Sequence, residues 1–178
     1  MDIKQLEKAL SELSGQAYPV DRWQPAHQGT IDMVIKRDGT WLHEGDPIIR
    51  DQLVVLFSKI LTKSQGQYYL VTPGEKLAMR VEDAPFLVVD FTIEEPGESQ
   101  TVWLITNIGD KVPLSLEFTI ELRGEEQRPY LTLWRGLDAL IERNTYYQLI
   151  DCASEIITEQ GTSLVLNSQQ QSFSLGRF

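Results

Sequence analysis

Three stretches of the chain repeat their apolar residues every three to four positions, which is the period of an amphipathic helix. The three stretches are residues 3–13, 49–61 and 144–157. The second is preceded by Asp46-Pro47. Because Asp is a favoured N-cap and Pro suits the first helical position, this pair predicts that the second helix begins there.

Most of the remaining chain alternates apolar and polar residues in short runs, which is typical of β-strands. The predicted strands are residues 31–37, 40–43, 68–72, 76–81, 86–93, 101–106, 111–116, 118–122, 130–134 and 137–141. Asp38-Gly39 lies between the first two runs and predicts a β-hairpin with both turn residues at positive φ. After Gly161 the alternation is weak, and we expect about the last ten residues to be poorly ordered.

This order of elements predicts an α+β fold with two mainly antiparallel β halves, each with one principal helix. The predicted organisation is an N-terminal helix and linker (1–28), an N-terminal α+β half (29–85), a C-terminal half (86–160) and a tail (161–178). In the C-terminal half, six or seven strands precede one helix. That is the element order of pleckstrin-homology-like domains, where a helix caps a bent antiparallel sheet or barrel. Element order alone carries no function.

Two pairs of segments resemble each other and favour an internal duplication. Residues 69–77 and 104–112 share a strand–turn–strand pattern with Gly-acid-Lys in the turn, and residues 50–57 and 143–150 share a helical pattern. Chance recurrence of short patterns is the alternative.

Composition and charge argue against two classes of binding partner, nucleic acid polymers and anionic lipid. The chain has 178 residues, 42% of them hydrophobic and 24% charged, which is typical of a globular protein. Its formal net charge of -10 argues against nucleic acid polymers, and residues 86–178 alone carry -8, which disfavours anionic lipid. No apolar run approaches the ~20 residues of a membrane helix.

A cytoplasmic location is expected from the N-terminus and the cysteine content. The N-terminus lacks the pattern of an export signal, and the single cysteine, Cys152, excludes an internal disulfide. Cys152 lies on the apolar side of a predicted helix, so an inert buried thiol is expected there.

The sequence offers few groups for catalysis or cofactor binding. It has two histidines, no glycine-rich phosphate loop and no Cys/His set with zinc spacing, so we expect no cofactor, no metal and no enzymatic activity. A hydrolase that uses Asp83 or Glu75 with His43 is the least supported alternative.

The residues that stand out are cations in an acidic chain. His43 and Arg50 are close in sequence, and imidazole and guanidinium groups both donate hydrogen bonds to anions. A helix beginning at Pro47 would add unpaired N–H groups. The structural alternative is that His43 meets a backbone carbonyl and that Arg50 pairs with Glu44 or Asp46.

Arg135 and Arg143 lie close together in a half that has only six cations, so they are further candidates for anion binding. An ion pair with Asp138, Glu142 or Asp83 is the alternative and is slightly favoured. Lys76 is a third candidate, although a solvated lysine is the commoner case. Trp41 and Tyr146 offer stacking surfaces for a base, while core packing is the favoured interpretation for both.

Several longer strings resemble one protein family. They are residues 38–50, 53–57, 69–76, 81–86 and 135–143. Together they resemble the small bacterial family called domain of unknown function 1285, over about residues 23–155. The family pattern often has Arg-Gly-Gly where this chain has Trp134-Arg135-Gly136.

The resemblance implies a duplicated core, a pleckstrin-homology-like C-terminal half and a ligand site between the halves for a nucleotide-like molecule, with a role in signalling. It implies no established enzymatic activity. Our hypothesis from the sequence is therefore non-enzymatic binding of a small anionic, nucleotide-like ligand through Trp41, His43, Arg50, Lys76, Arg135 and Arg143. The alternative hypothesis is a protein-interaction module that binds a partner chain at its strand edges or helix groove.

Overall fold

The computed structural model describes residues 3–11, 18–97, 99–158 and 161–177. Its contacts divide the chain into two compact units, Met1–Pro85 and Phe86–Phe178. Within the described ranges, no helix is long and apolar enough to cross a bilayer.

The first unit is one six-stranded sheet with two helices. Its elements are α1 (Ile3–Ser11), β1 (His27–Ile35), β2 (Trp41–His43), β3 (Asp46–Pro47), α2 (Asp51–Ser58), β4 (Leu61–Ser64), β5 (Gln67–Val71) and β6 (Glu75–Val81). The strand order is β3-β2-β1-β6-β5-β4, in which the central pair β1–β6 is parallel and the other pairs are antiparallel. Its core includes Met33, Ile35, Trp41, Phe57 and Leu70.

The second unit has a six-stranded sheet, one helix and a three-stranded sheet. Its elements are β7 (Phe86–Glu94), β8 (Thr101–Thr106), β9 (Lys111–Pro113), β10 (Ile120–Arg123), β11 (Arg128–Thr132), β12 (Asp138–Ile141), α3 (Arg143–Asp151), β13 (Ser154–Thr158), β14 (Gly161–Ser168) and β15 (Gln171–Arg177). The larger sheet has the order β10-β11-β12-β7-β8-β9, and the smaller one has the order β13-β14-β15.

The two larger sheets follow the same path, so the α+β class with duplicated halves is confirmed. In each sheet the first and sixth strands of the unit form the parallel central pair. In each unit the residue after the sixth strand also donates a backbone hydrogen bond to the first strand. Glu82 N–H donates to the Ile35 carbonyl, and Glu142 N–H donates to the Val88 carbonyl.

The segment pairs that suggested duplication do not mark equivalent positions. Residues 69–77 span β5 and β6, whereas residues 104–112 span β8 and β9, which follow the path of β2 and β3. Helix α2 lies between the third and fourth strands of its unit, and α3 follows the sixth. Short patterns of this kind recur in any hairpin. The evidence for duplication is therefore the shared strand order of the two larger sheets, and not the similarity of these segments.

The predicted start of the second helix at Asp46-Pro47 is wrong. Glu44 and Gly45 have φ values of 52° and 87°, and His43 pairs with Asp46 across them. Two residues at positive φ between paired strands form a type I′ hairpin turn. Asp46-Pro47 is therefore an edge strand, α2 begins at Asp51, and no helix N-terminus lies at Pro47.

The hairpin at Asp38-Gly39 is confirmed, with a different turn. Lys36 N–H donates to the Thr40 carbonyl, which leaves a three-residue loop, and Gly39 has a φ of 84°. Asp38 is not at positive φ. In a three-residue hairpin only the last loop residue needs the left-handed conformation.

The third helix begins where it was predicted but is shorter than expected, and the expected disordered tail is wrong. Helix α3 ends at Asp151, and β13 begins at Ser154, so Cys152 is exposed instead of buried on a helix face. The tail forms β14 and β15, joined by a turn at Gln169 and Gln170 with φ values of 51° and 61°. Glutamines rarely adopt this conformation, which is why the pattern gave no hairpin signal.

These strands also change the predicted second half. Helix α3 is followed by three strands instead of ending the unit, and β7 pairs with β12 in parallel. The expected antiparallel sheet capped by a terminal helix therefore does not describe this unit.

Replacing Tyr146 with Phe is expected to loosen β15. The Tyr146 hydroxyl donates a hydrogen bond to the Leu175 carbonyl. Burial raises the pKa of this phenol. Deleting the hydroxyl should cost about 1 kcal/mol and speed hydrogen exchange in β15.

Tyr147→Phe is the matched control because Tyr147 is the next helical residue and is exposed. Equal exchange rates in β15 for the two variants would contradict this role of Tyr146.

Candidate functional site

One concavity of the first unit brings two of the predicted site residues together. It has a volume of about 290 Å³. We call it the α2 pocket, and its lining residues are Ile3, His43, Glu44, Asp46, Pro47, Ile48, Ile49, Arg50 and Leu53. His43 and Arg50 are thus on the same surface, as their closeness in sequence suggested.

The β2–β3 hairpin builds the α2 pocket. His43 is the last residue of β2, and the chain reverses at Glu44-Gly45 before it leads to Arg50, the N-cap of α2. A Cβ on Gly45 would meet no atom within 4 Å, so its left-handed φ is what favours glycine here. Ile49 projects from this connection with 89% of its surface exposed.

Arg50 is held by a residue of α1. Its Nη2 donates to Oε2 of Glu7 over 2.8 Å. The side chains of Arg50 and Glu7 are 59% and 35% exposed, so the pair contributes only about 0–1 kcal/mol. The arginine does pair with a carboxylate, but with Glu7 instead of the expected Glu44 or Asp46.

The charges in the α2 pocket are mixed. Arg50 is its permanent cation, and the carboxylates of Glu44 and Asp46 lie on the same lining. Ile3, Ile48, Ile49 and Leu53 supply apolar surface. A ligand with several negative charges would therefore meet repulsion, while one anionic group on an apolar body suits the lining.

Trp41 belongs to the core and not to the α2 pocket. Its side chain is 2% exposed, in agreement with the core-packing interpretation, so a base has no surface on which to stack there. Lys76 lies on β6 with its Nζ 4.2 Å from the centre of the Tyr69 ring. Neither residue lines the pocket.

The remaining candidates belong to the second unit. Arg135 follows β11 with a φ of 55° and forms a tight turn with Gly136, whose φ is 70°. Arg143 is the first residue of α3 and is exposed. Tyr146 is partly buried and lines a separate concavity of about 540 Å³ with Leu175.

The residues of the hydrolase alternative do not converge. Glu75 pairs with His27 at one end of β1, whereas His43 pairs with Met33, six residues further along that strand. At ~3.3 Å per residue, Glu75 and His43 are roughly 20 Å apart. Asp83 approaches Arg37, with Oδ2 3.8 Å from Nε. Among the described residues, no three His, Cys, Asp or Glu side chains are placed to share a metal ion.

Comparison with known protein families shows to which family this chain belongs. Residues 18–84 match the family described as "Domain of unknown function (DUF1285), N-terminal domain", and residues 85–175 match "Protein of unknown function (DUF1285), C-terminal domain". The chain belongs to the DUF1285 family. No curated protein matches the sequence.

Two crystal structures of DUF1285 family proteins are similar to this chain. The one from Silicibacter pomeroyi is 36% identical, covers 97% of this chain and 94% of its own, and has a TM-score of 0.82. The one from Shewanella baltica is 30% identical, covers 68% of this chain and 91% of its own, and has a TM-score of 0.56. No enzymatic activity is assigned to this family or to either of these two proteins.

This DUF1285 member also contains an ion-pair cluster that sequence reasoning missed. Arg123 donates from Nη2 to Asp138 over 2.9 Å and to Glu121 over 2.7 Å. These bonds, chiefly the one to Asp138, raise the pKa of Arg123. The ion-pair partner considered for Asp138 was Arg135 or Arg143, both of which are near in sequence. The pairing of β10, β11 and β12 brings Arg123 to Asp138.

A second polar cluster lies on β7, β8 and β9. The Glu94 carboxylate accepts from Lys111 Nζ over 2.6 Å and from Trp103 Nε1 over 2.9 Å. The hydrogen bond from Lys111 is the main reason that the pKa of Glu94 is lowered. The polar groups of Glu94, Lys111 and Trp103 thus bind one another within one sheet, which indicates a role in stabilising the sheet and not in binding a ligand.

Proposed function

We propose that this DUF1285 protein binds a small anionic ligand in the α2 pocket without converting it chemically. The observation that carries the proposal is the placement of His43 and Arg50 on one concavity beside exposed apolar surface. Imidazole and guanidinium groups can hold one carboxylate or phosphate group, while Ile48 and Ile49 contact an apolar body.

The lining also favours one ligand chemistry over another. Glu44 and Asp46 would repel a polyphosphate, and the lining contains no aromatic side chain for a base. A compound with a single carboxylate or phosphate group suits the pocket better than a nucleoside triphosphate. Reversible binding without turnover is compatible with the signalling role that the family resemblance implies.

Glu7 would compete with an anionic ligand for Arg50. Its carboxylate already accepts a hydrogen bond from Arg50, so it occupies the donor that an anionic ligand needs. Ligand binding through Arg50 would displace Glu7, and α1 would lose one of its contacts with the pocket. Glu7 thus acts as an internal competitor whose removal strengthens binding.

Replacing Arg50 with Ala is expected to weaken ligand binding strongly. A thermal-shift and calorimetric panel of monocarboxylates, phosphate monoesters, nucleotides and second messengers would identify a probe. Arg50→Ala should weaken the best probe about tenfold or more, because a charge-assisted bidentate contact is lost. Glu7→Gln should strengthen the same probe several-fold.

Arg80→Ala is the matched control, since Arg80 is an exposed arginine of the same unit on β6 and does not line the pocket. The proposal fails if nothing in the panel binds below millimolar concentration, or if Arg50→Ala and Arg80→Ala bind the probe equally well.

A further inference from the structure

The two larger sheets have protected edges. Their edge strands β3, β4, β9 and β10 are two to four residues long. Each carries a proline or a cation, among them Pro47, Lys63, Pro113 and Arg123. Short edges, prolines and charged side chains are the devices by which proteins prevent other chains from adding a strand.

The edge strand β13 of the smallest sheet has neither a proline nor a cation. It spans five residues, Ser154 to Thr158, and contains no Pro, Lys or Arg. It pairs with β14 along its whole length without a register shift. The opposite edge, β15, has a register shift against β14 and contacts β10. Among the described edges, β13 alone is regular and free of proline and cations.

The side chains of β13 are also unusual for a strand that faces only water. Ile156 is 45% exposed and Ile157 is 85% exposed, and they point to opposite faces of the sheet. Both are β-branched, which suits a strand, yet neither is buried within the unit. Every second residue of an edge strand directs its N–H and C=O groups away from its neighbour, so β13 also offers unpaired backbone groups.

Charge decides between two occupants of this edge. A second copy, added antiparallel about Ile156, would set Glu155 opposite Ile157 and form no ion pair. It would also bring together two units whose residues 86–178 each carry a net charge of -8. A basic segment gains instead, because a cation opposite Glu155 and aliphatic residues opposite Ile156 and Ile157 are favourable cross-strand pairs.

We propose that β13 is a docking edge for an extended segment of a partner protein that carries both basic and aliphatic residues. The segment adds as a fourth strand beside β13. Backbone hydrogen bonds supply the affinity, and Glu155 and Ile157 select the side chains. The proposal concerns the second unit and does not depend on a ligand in the α2 pocket.

Short blocked peptides of repeated Val-Val-Lys, which can set lysine opposite Glu155 and valines opposite Ile156 and Ile157, are the probes, with a matched set in which glutamate replaces lysine. Titration into the full-length ¹⁵N-labelled protein, followed by hydrogen exchange, measures binding. The basic set should protect alternate amides of β13 and bind about tenfold more tightly than the acidic set. Glu155→Lys should reverse that preference, and Ile157→Lys should weaken binding of the basic set about tenfold.

Leu116→Lys is the matched control, because Leu116 is a 77% exposed apolar residue between β9 and β10 of the same unit. It should leave peptide binding unchanged. Absence of alternate protection, or equal binding of the basic and acidic sets, would overturn the proposal. Concentration-dependent dimerisation that Ile157→Lys abolishes would overturn it as well, since the occupant would then be a second copy.

Discussion

Trp41→Ala is expected to lower the free energy of unfolding of the first unit by about 3–5 kcal/mol. Trp41 is one of the largest fully enclosed side chains, on a strand that pairs with β1, and its carbonyl accepts the N–H of Ile48. Truncation would leave a cavity beneath the β2–β3 hairpin. Urea unfolding followed by circular dichroism, together with hydrogen exchange of β1 and β2, measures the loss.

Trp41→Phe distinguishes the effect of lost side-chain volume from the effect of losing the indole N–H. Nε1 of Trp41 is buried and has no hydrogen-bond partner among the described residues. Phe loses some packing volume but removes an unpaired donor whose burial costs about 1–3 kcal/mol. We therefore expect Trp41→Phe to remain within about 1.5 kcal/mol of the wild type. A loss as large as that of Trp41→Ala would show that the indole N–H contributes a bond.

Tyr147→Ala is the stability control, because Tyr147 is an exposed aromatic residue and should change the free energy of unfolding by under about 0.5 kcal/mol. The same variants bear on function. If Trp41 only packs, Trp41→Phe keeps the ligand binding proposed for the α2 pocket.

Long periodic segments were predictable from the sequence, and turns made of unusual residues were not. The amphipathic pattern placed α1, and alternation placed β8 at its observed bounds. Glu44-Gly45 and Gln169-Gln170 reverse the chain without the Asn-Gly or Asp-Gly pairs that mark type I′ turns. Local residue preference is weak at such turns, and the pairing of the flanking strands overrides it.

The same cause explains the errors around the third helix. Ile157 continues the apolar spacing of α3, but the helix ends at Asp151 and the residue lies on β13. Short apolar runs do not distinguish strand from helix, so periodicity alone could not place this boundary. Ile157 is exposed because β13 is an edge strand, and the strand order of a sheet cannot be derived from the spacing of apolar residues.

The candidate site was predictable where its residues are near in sequence. His43 and Arg50 flank one hairpin, so their closeness followed from local structure. Glu7 is 43 positions from Arg50, and Arg123 is 15 positions from Asp138. Such partners depend on which elements pack together, and one sequence carries no direct signal of that.

Arg123→Ala is expected to lower the free energy of unfolding of the second unit by about 2 kcal/mol. The Asp138 side chain is 10% exposed, so loss of Arg123 removes a principal counter-charge from a carboxylate that water scarcely reaches. Breaking a buried pair costs about 3–5 kcal/mol. Arg123 itself is 38% exposed, and solvent screening reduces that figure. Its guanidinium also lies 4.9 Å from the Tyr130 ring centre, a packing contact that the variant loses.

A double-mutant cycle with Asp138→Asn isolates the pair. If the bond to Asp138 carries the stability, Asp138→Asn costs clearly less in the Arg123→Ala background than in the wild type. Glu121→Ala should cost under about 1 kcal/mol, because that carboxylate is 49% exposed and Arg123 keeps Asp138. Arg143→Ala removes an exposed arginine of the same unit and should be nearly neutral. Additive losses for Arg123→Ala and Asp138→Asn would instead mean that Arg123 stabilises the sheet through packing on Tyr130, and its charge would then be incidental.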